Sequence, residues 1–189
     1  MKGTKENGLI MYPKNDKGLE CFVEADFAEG WSTNESDNLA SVYSCTGYII
    51  KYRNCSILWA SKLQSEISLS TTEAEYIALP QAIREIIPMM EHLEQSEKTL
   101  NIEPKRPSVK CEVFKYNNCA IELSKAPNIS PRTKHIALEY HQFREHIRKG
   151  LIEINLIDTL EQVADIFMKS LPFPIFNSLR KKMMGWSKQ

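Results

Sequence analysis

The 189-residue sequence contains little glycine or proline and no long apolar run. With 7 Gly, 9 Pro, 42% hydrophobic and 25% charged residues, it does not have the composition of collagen-like, low-complexity or disordered proteins. Apolar stretches such as residues 83–90 are short, so none reaches the roughly 20 apolar residues that a membrane span requires. We therefore expect one folded, soluble domain with no membrane partner.

The sequence also lacks an excess of charge of either sign, a paired-cysteine pattern and an apolar stretch among its first residues. Because 24 basic residues balance 24 acidic ones, any binding to nucleic acid must come from a local patch. The five cysteines are odd in number and widely spaced, which argues against a disulfide framework or a zinc site and favours small buried hydrophobes. Residues 2–7 are polar or charged rather than apolar, so we expect an intracellular protein, in the cytoplasm or nucleus, that is not secreted.

The periodicity of apolar residues predicts alternating strands and helices. Strands are predicted at residues 19–25, 42–52, 56–60, 109–116 and 151–157. Helices are predicted at residues 72–95, 117–125, 134–149 and 174–184, with one more after a capping box at Asp158 and Glu161. This order of elements indicates an α/β fold in layers.

The helix at residues 72–95 has the clearest sequence signals. Residues 70–72 supply a Ser/Thr N-cap, Glu73 and Glu75 are potential capping-box partners, and apolar residues then recur at helical spacing. Two prolines lie inside the helix, and a proline there removes a backbone hydrogen bond. We therefore expect a kink near residues 76–79.

Three acidic residues are candidates for metal-dependent chemistry. Glu24 lies in an apolar strand, Glu75 in the first turn of the long helix, and Asp165 at the edge of a later apolar face. Mg²⁺ needs carboxylate oxygens from separate elements, and two-metal nucleases use such a cluster. The residues alone leave other interpretations open: an outward-facing Glu24, a helix-capping Glu75 and a solvated Asp165.

A basic segment is the candidate nucleic-acid contact. It contains Arg132, Lys134 and Arg144 together with histidines whose spacings of six and five residues make a zinc site improbable. Basic side chains on one face can contact a phosphate backbone, although a plain solvated helix has the same composition.

Several longer strings point to one family. They are ADFA at residues 25–28, TGY at 46–48, WASKLQ at 59–64, STTEAEYIAL at 70–79, PRTKHIAL at 131–138 and ADIFMKSLP at 164–172. In order and spacing, over nearly the whole chain, they resemble the ribonuclease H domain that ends the Pol polyprotein of copia-type LTR retrotransposons. Residues 2–5 are similar to the segment that joins reverse transcriptase to this domain.

The resemblance implies a ribonuclease H-like fold, with a mixed five-stranded sheet flanked by helices. It also implies three parts: a remnant of the reverse transcriptase connection at residues 1–18, the ribonuclease H-like domain at 19–172, and a C-terminal helix and tail at 173–189. In this family, four acidic residues bind two Mg²⁺ and cleave the RNA strand of an RNA–DNA hybrid. The partners implied are therefore RNA–DNA hybrid or duplex and a reverse transcriptase chain.

Carried over by position, the family's acidic residues fall on Glu24, Glu75 and Asp165, with Tyr116 in place of the third aspartate. The residues that would contact nucleic acid are Lys62, Arg132, Lys134 and Arg144.

The departures from the family pattern converge on this site. A tyrosine phenol is neutral at pH 7, so Tyr116 removes one charge and one hard ligand. Lys115 adds positive charge beside the cation site, and glutamate rather than aspartate at position 24 displaces a carboxylate by one methylene. The ring of Pro80 presses on the helix backbone next to Glu75.

From these departures we expect weakened Mg²⁺ binding and an impaired enzyme. The alternatives are a still active Mg²⁺-dependent hybrid ribonuclease, and a non-catalytic nucleic-acid-binding module or remnant of a decaying element.

Overall fold

The computed structural model describes residues 7–27, 39–101, 110–116, 143 and 145–186. The strands are β1 Leu19–Asp26, β2 Cys45–Tyr52, β3 Cys55–Leu63, β4 Cys111–Lys115 and β5 Ile152–Leu156. The helices are α1 Thr71–Leu100, α2 Phe173–Met184 and the 3-10 helices η1 Leu39–Val42, η2 Thr159–Glu161 and η3 Val163–Phe167. None of these described helices is both long and apolar enough to cross a membrane.

Two predicted helices fall largely outside this part of the chain. The helix predicted at residues 117–125 lies entirely outside the described residues, as does most of the one predicted at 134–149. Residues 145–148 are helical, and Gly150 follows with a φ of 69°, the left-handed conformation that commonly ends a helix.

The five strands form one mixed sheet in the order β3-β2-β1-β4-β5. The three strands from β3 to β1 pair antiparallel, whereas β4 pairs parallel to both β1 and β5. Arg53 and Asn54 connect β2 to β3 with φ values of 51° and 69°, the conformation of a two-residue type I′ hairpin turn. The predicted mixed five-stranded sheet with flanking helices is confirmed.

Side chains alternate between two hydrophobic layers because successive strand residues point to opposite faces. One face of β1, carrying Cys21 and Val23, packs against α1 in the larger core. The other face, carrying Phe22, packs against η3 in a smaller cluster. Cys21, Cys55 and Cys111 are buried, as predicted for cysteines acting as small hydrophobes.

Helix α1 begins at a capping box that the sequence predicts. The Ser70 hydroxyl accepts a hydrogen bond from the Glu73 amide at 3.1 Å, and the Glu73 carboxylate accepts one from the Leu69 amide at 2.7 Å. Asn101 ends the helix in the left-handed conformation. The helix starts one residue before its predicted first residue and runs through both internal prolines. The kink near residues 76–79 stays a prediction.

The prediction of a single α-helix after Asp158 is wrong. The Asp158 carboxylate does cap the segment, accepting from the Leu160 amide at 2.8 Å, but two short 3-10 helices follow instead of one α-helix. The buried side chain of Gln162, between them, donates to the carbonyls of Val23 and Phe114 at 3.3 and 3.4 Å. These hydrogen bonds hold the segment against the ends of β1 and β4. The segment therefore lies along the sheet instead of forming one regular α-helix.

The segment before β1 lies against the end of α2. The indole N–H of Trp186 donates to the Gly8 carbonyl at 2.7 Å, and the Ile10 amide donates to the Met184 carbonyl at 2.9 Å. A Cβ added at Gly185 would lie 2.5 Å from the Ile10 carbonyl oxygen, so glycine permits this close approach.

A buried amide joins the end of β3 to the start of α1. Just beyond β3, the Gln64 side chain donates to Thr46 Oγ1 at 3.1 Å and to the Ala74 carbonyl at 2.7 Å. Its own oxygen accepts from the Ser68 hydroxyl at 2.9 Å. Gln64 therefore fixes the helix turn that contains Glu75.

We expect Gln64→Ala to lower the free energy of unfolding by about 2 kcal/mol, because it leaves buried partners without hydrogen bonds. Urea denaturation followed by circular dichroism measures this loss. The matched control is Gln95→Ala, at an exposed position of α1. Equal stabilities of the two variants would contradict the role assigned to Gln64.

Candidate active site

Three carboxylates of the candidate site are buried, and one of them lies near the carboxyl end of β1. Glu24 belongs to that strand, Glu75 to the first turns of α1 on one face of the sheet, and Asp165 to η3 on the other face. The charge of Glu24 interacts with those of both Glu75 and Asp165. The outward-facing and solvated interpretations of Glu24 and Asp165 are therefore wrong, and the capping partner in α1 is Glu73 rather than Glu75.

Glu24 is held in a mixed electrostatic environment. One of its carboxylate oxygens accepts a hydrogen bond from Gln162 Nε2 at 3.3 Å. Burial raises the pKa of the Glu24 carboxyl above its ordinary value, since a low-polarity environment disfavours the charged form. The positive charge of Lys115 opposes this rise in pKa, whereas the negative charge of Glu75 adds to it.

Lys115 is the central cation of this environment. It is the last residue of β4, it is 0% exposed, and its ammonium donates a hydrogen bond to the backbone carbonyl of Glu75 at 2.7 Å. Strand alternation places it on the face that packs against α1, together with Val113. Burial lowers the pKa of Lys115, while the charges of Glu24 and Glu75 raise it.

The other two carboxylates differ in their partners. Asp165 Oδ1 accepts a hydrogen bond from the Lys169 ammonium at 3.1 Å, one helical turn later in the chain. The Glu75 side chain is 8% exposed, and its Oε2 has no hydrogen-bond partner among the described residues. A buried carboxylate oxygen without a partner is costly, so this atom is an open position for a donor or a cation.

The Tyr116 side chain lies at the surface rather than in the carboxylate cluster. It follows β4 directly and is 57% exposed.

Within the described ranges, no group of three or more His, Cys, Asp or Glu side chains is placed to hold a metal ion. Three carboxylates with two ammonium groups leave a formal charge of −1, from −3 and +2. The residues present therefore do not fit a pair of Mg²⁺ ions, and metal ligation by Glu24, Glu75 and Asp165 stays a prediction.

Lys62 lies on the α1 face of the sheet, where it contacts Glu85 and Tyr48. Its ammonium lies 3.6 Å from a Glu85 carboxylate oxygen and 5.8 Å from the Tyr48 ring centroid, and the side chain remains exposed. The other predicted nucleic-acid contacts, Arg132, Lys134 and Arg144, lie outside the described residues. Their grouping with Lys62 stays a prediction.

Sequence reasoning missed three residues that shape the site. Gln162 and Lys169 contact the carboxylates directly, and Gly47 pairs with Glu24 across the β1–β2 ladder. Sequence signals existed for two of them, because Lys169 follows Asp165 at i+4 and a glycine inside a strand often marks a close approach of another backbone. Gln162 caps η3 locally through its side-chain oxygen, but its contact with Glu24 gives no local signal, since the groups to which its side-chain nitrogen donates are more than 40 residues away in sequence.

Comparisons with known proteins agree with this architecture, although no family model matches the chain. The Pol polyprotein of transposon TNT 1-94 of Nicotiana tabacum is 34% identical over 185 residues, which cover 98% of this chain and 13% of that protein. The Pol polyprotein of transposon RE2 of Arabidopsis thaliana is 28% identical over 183 residues, covering 97% of this chain and 12% of that protein. The chain therefore spans only about an eighth of the length of these relatives.

The fold comparison is consistent with the sequence comparison. The N-terminal RNase H domain of Rv2228c from Mycobacterium tuberculosis superposes with a TM-score of 0.51 at 8% identity, covering 87% of this chain and 96% of that one. Because so low an identity supports a shared fold alone, the relationship to retrotransposons comes from the Pol relatives. The fold is therefore ribonuclease H-like, and over nearly its whole length the chain is similar in sequence to a part of retrovirus-related Pol polyproteins of transposons.

Proposed function

We propose that this ribonuclease H-like domain binds RNA–DNA hybrid or duplex nucleic acid but is impaired in cleaving RNA. The observation that carries the proposal is the buried ammonium of Lys115, held beside Glu24 and Glu75 by its hydrogen bond to the Glu75 carbonyl. A divalent cation brought to these two carboxylates would be repelled by a charge already inside the site.

The rest of the site supports the same conclusion. Tyr116 contributes neither a negative charge nor a buried ligand, and Gln162 occupies one oxygen of Glu24. Lys169 occupies an oxygen of Asp165. Since hard cations are held by several free oxygens at once, each of these contacts weakens binding of Mg²⁺.

One observation favours the second candidate, a still active Mg²⁺-dependent hybrid ribonuclease. Glu75 Oε2 is buried and without a hydrogen-bond partner among the described residues, so one carboxylate oxygen remains open to a cation. A single open oxygen is a weak basis for two-metal chemistry, which needs ligands around both ions. We therefore place impaired cleavage first. A reverse transcriptase chain stays a candidate partner, because the relatives are much longer Pol polyproteins.

The test combines cleavage and binding of one labelled RNA–DNA hybrid. We expect the protein to leave the RNA intact in Mg²⁺ and in Mn²⁺, at protein concentrations where anisotropy shows the hybrid bound. We expect the affinity to fall about tenfold between 50 and 200 mM salt, because phosphate contacts release counterions.

Two variants test the binding surface in the same assay. Lys62→Ala should weaken hybrid binding, whereas Lys98→Ala, at an exposed lysine in the last turn of α1, should not. Efficient metal-dependent cleavage by the unmodified protein would support the second candidate instead. Binding that is insensitive to salt would exclude the proposed phosphate contacts.

A further inference from the structure

We propose that Lys115 is a built-in cation that neutralises Glu24 and Glu75 in place of a divalent metal. The folded domain is then independent of metal, and removing the lysine charge opens a site for a divalent cation. This inference rests on the proposed function and deepens it, since it assigns the buried carboxylates of Glu24 and Glu75 a counterion from the chain itself.

The position of the lysine is fixed by the fold. Lys115 ends β4, its side chain is fully buried, and its ammonium is anchored at 2.7 Å to a carbonyl of α1. The carbonyl belongs to Glu75 itself. This hydrogen bond therefore joins β4, which carries the ammonium, to α1, which carries one of the carboxylates. A buried charge that is hydrogen-bonded and faces opposite charges persists, whereas an isolated one does not.

The charges of the site divide between two lysines. Lys169 pairs directly with Asp165 at 3.1 Å. The positive charges of Lys115 and of Lys169 both favour the ionised form of Glu24. We therefore assign Lys115 as the counterion that the carboxylates of Glu24 and Glu75 share, and its removal leaves Glu75 without this buried positive charge.

The open oxygen of Glu75 is an independent observation that points to a cation. Its Oε2 is buried and has no hydrogen-bond partner within the described part of the chain, although the lysine already bonds the carbonyl of the same residue. When the lysine charge is absent, this oxygen and the carboxylate of Glu24 are the ligands that a hard divalent cation prefers.

The experiment measures thermal unfolding of the parent chain and of Lys115→Met with EDTA or with Mn²⁺. Methionine keeps an unbranched side chain and removes the charge together with the hydrogen bond to the Glu75 carbonyl. The matched control is Lys51→Met, because Lys51 is also a buried lysine of a sheet strand, but its ammonium bonds the Lys182 carbonyl at 3.0 Å instead of facing the carboxylate cluster.

We expect the melting temperature of the parent to be the same with and without Mn²⁺. In EDTA, Lys115→Met should melt about 10 °C lower, as for a buried ion pair that loses one partner. Mn²⁺ at ten times its dissociation constant should then raise this temperature by about 4 °C. Adding Glu75→Gln should abolish the rise. Lys51→Met should be destabilised without any response to Mn²⁺.

Two results overturn the inference. The first is a folded Lys115→Met protein whose melting temperature does not change with Mn²⁺. The second is a parent chain whose melting temperature Mn²⁺ raises as much as that of the variant. If Lys115→Met does not fold, Glu24→Gln in the parent decides the question. A lower melting temperature supports the counterion role because Lys115 loses a partner, whereas a higher one contradicts it because only a costly buried charge was removed.

These outcomes are separable from failure of the proposed function. Hybrid cleavage by the unmodified protein overturns the proposed function, whatever Lys115→Met does. A protein that binds hybrid without cleaving it, and whose Lys115→Met variant ignores Mn²⁺, overturns the counterion role alone.

Discussion

The triple variant Glu24→Asp, Lys115→Val and Tyr116→Asp should cleave the RNA of a hybrid in Mg²⁺ at least about 100-fold faster than the parent. That factor is the usual effect of one preorganised charged or polar group on a transition state. The variant shortens one carboxylate, adds another directly after β4 at the position that the resemblance assigns to the family's third aspartate, and removes the buried ammonium. Valine suits the position because β-branched residues pack well in strands.

The informative control is the double variant Glu24→Asp and Tyr116→Asp, which keeps Lys115. We expect it to stay near the parent rate, because the ammonium still opposes entry of a cation. Initial rates on a labelled hybrid, with circular dichroism to verify folding, provide the comparison. Full activity in the double variant would show that Lys115 is irrelevant to cleavage. A folded but inactive triple variant would show that the site has been placed wrongly.

Gly47→Ala should lower the free energy of unfolding by about 3 kcal/mol, at the upper end of the usual cost of overpacking. A Cβ at Gly47 would lie 2.6 Å from Met168 Cγ and 3.0 Å from the Ala164 carbonyl oxygen. The methionine side chain can move, but the carbonyl belongs to the backbone of η3. We therefore expect the helix that carries Asp165 to be pushed off the sheet.

Gly18→Ala is the matched control for this effect. A Cβ at Gly18 would lie 3.8 Å from the Lys110 carbonyl oxygen, an ordinary contact, so the substitution should be neutral or slightly stabilising. Urea denaturation measures both variants. If Gly47→Ala is as stable as Gly18→Ala, the close approach of η3 to β2 does not require glycine.

Local sequence signals predict the sheet and the start of α1 well. Alternation of apolar residues positions the strands to within a few residues, and Ser70 with Glu73 forms the predicted capping box. The segment around Gln162 could not be predicted in the same way, because its conformation depends on carbonyls of β1 and β4 that lie far away in sequence. The apolar spacing of this segment suits an α-helix, and tertiary hydrogen bonds override it.

The candidate site was only partly predictable for the same reason. The family resemblance selects Glu24, Glu75 and Asp165, and all three are buried, with the charge of Glu24 sensitive to those of the other two. It also indicates that Lys115 adds positive charge there. What it does not give is full burial of this lysine and its bond to a helix carbonyl, which depend on how β4 and α1 pack.

The hydrogen bond between Trp186 and Gly8 places the two ends of the described part of the chain next to each other. A domain with neighbouring termini can be inserted into a surface loop of a host protein without stretching that loop. It can also be circularly permuted, with a short linker near Gly8 and Trp186 and new ends at the Arg53–Asn54 turn. In such a permutant, β2 and β3 would no longer be consecutive in the chain. The carboxylates of the candidate site and their lysines would keep their positions in the fold.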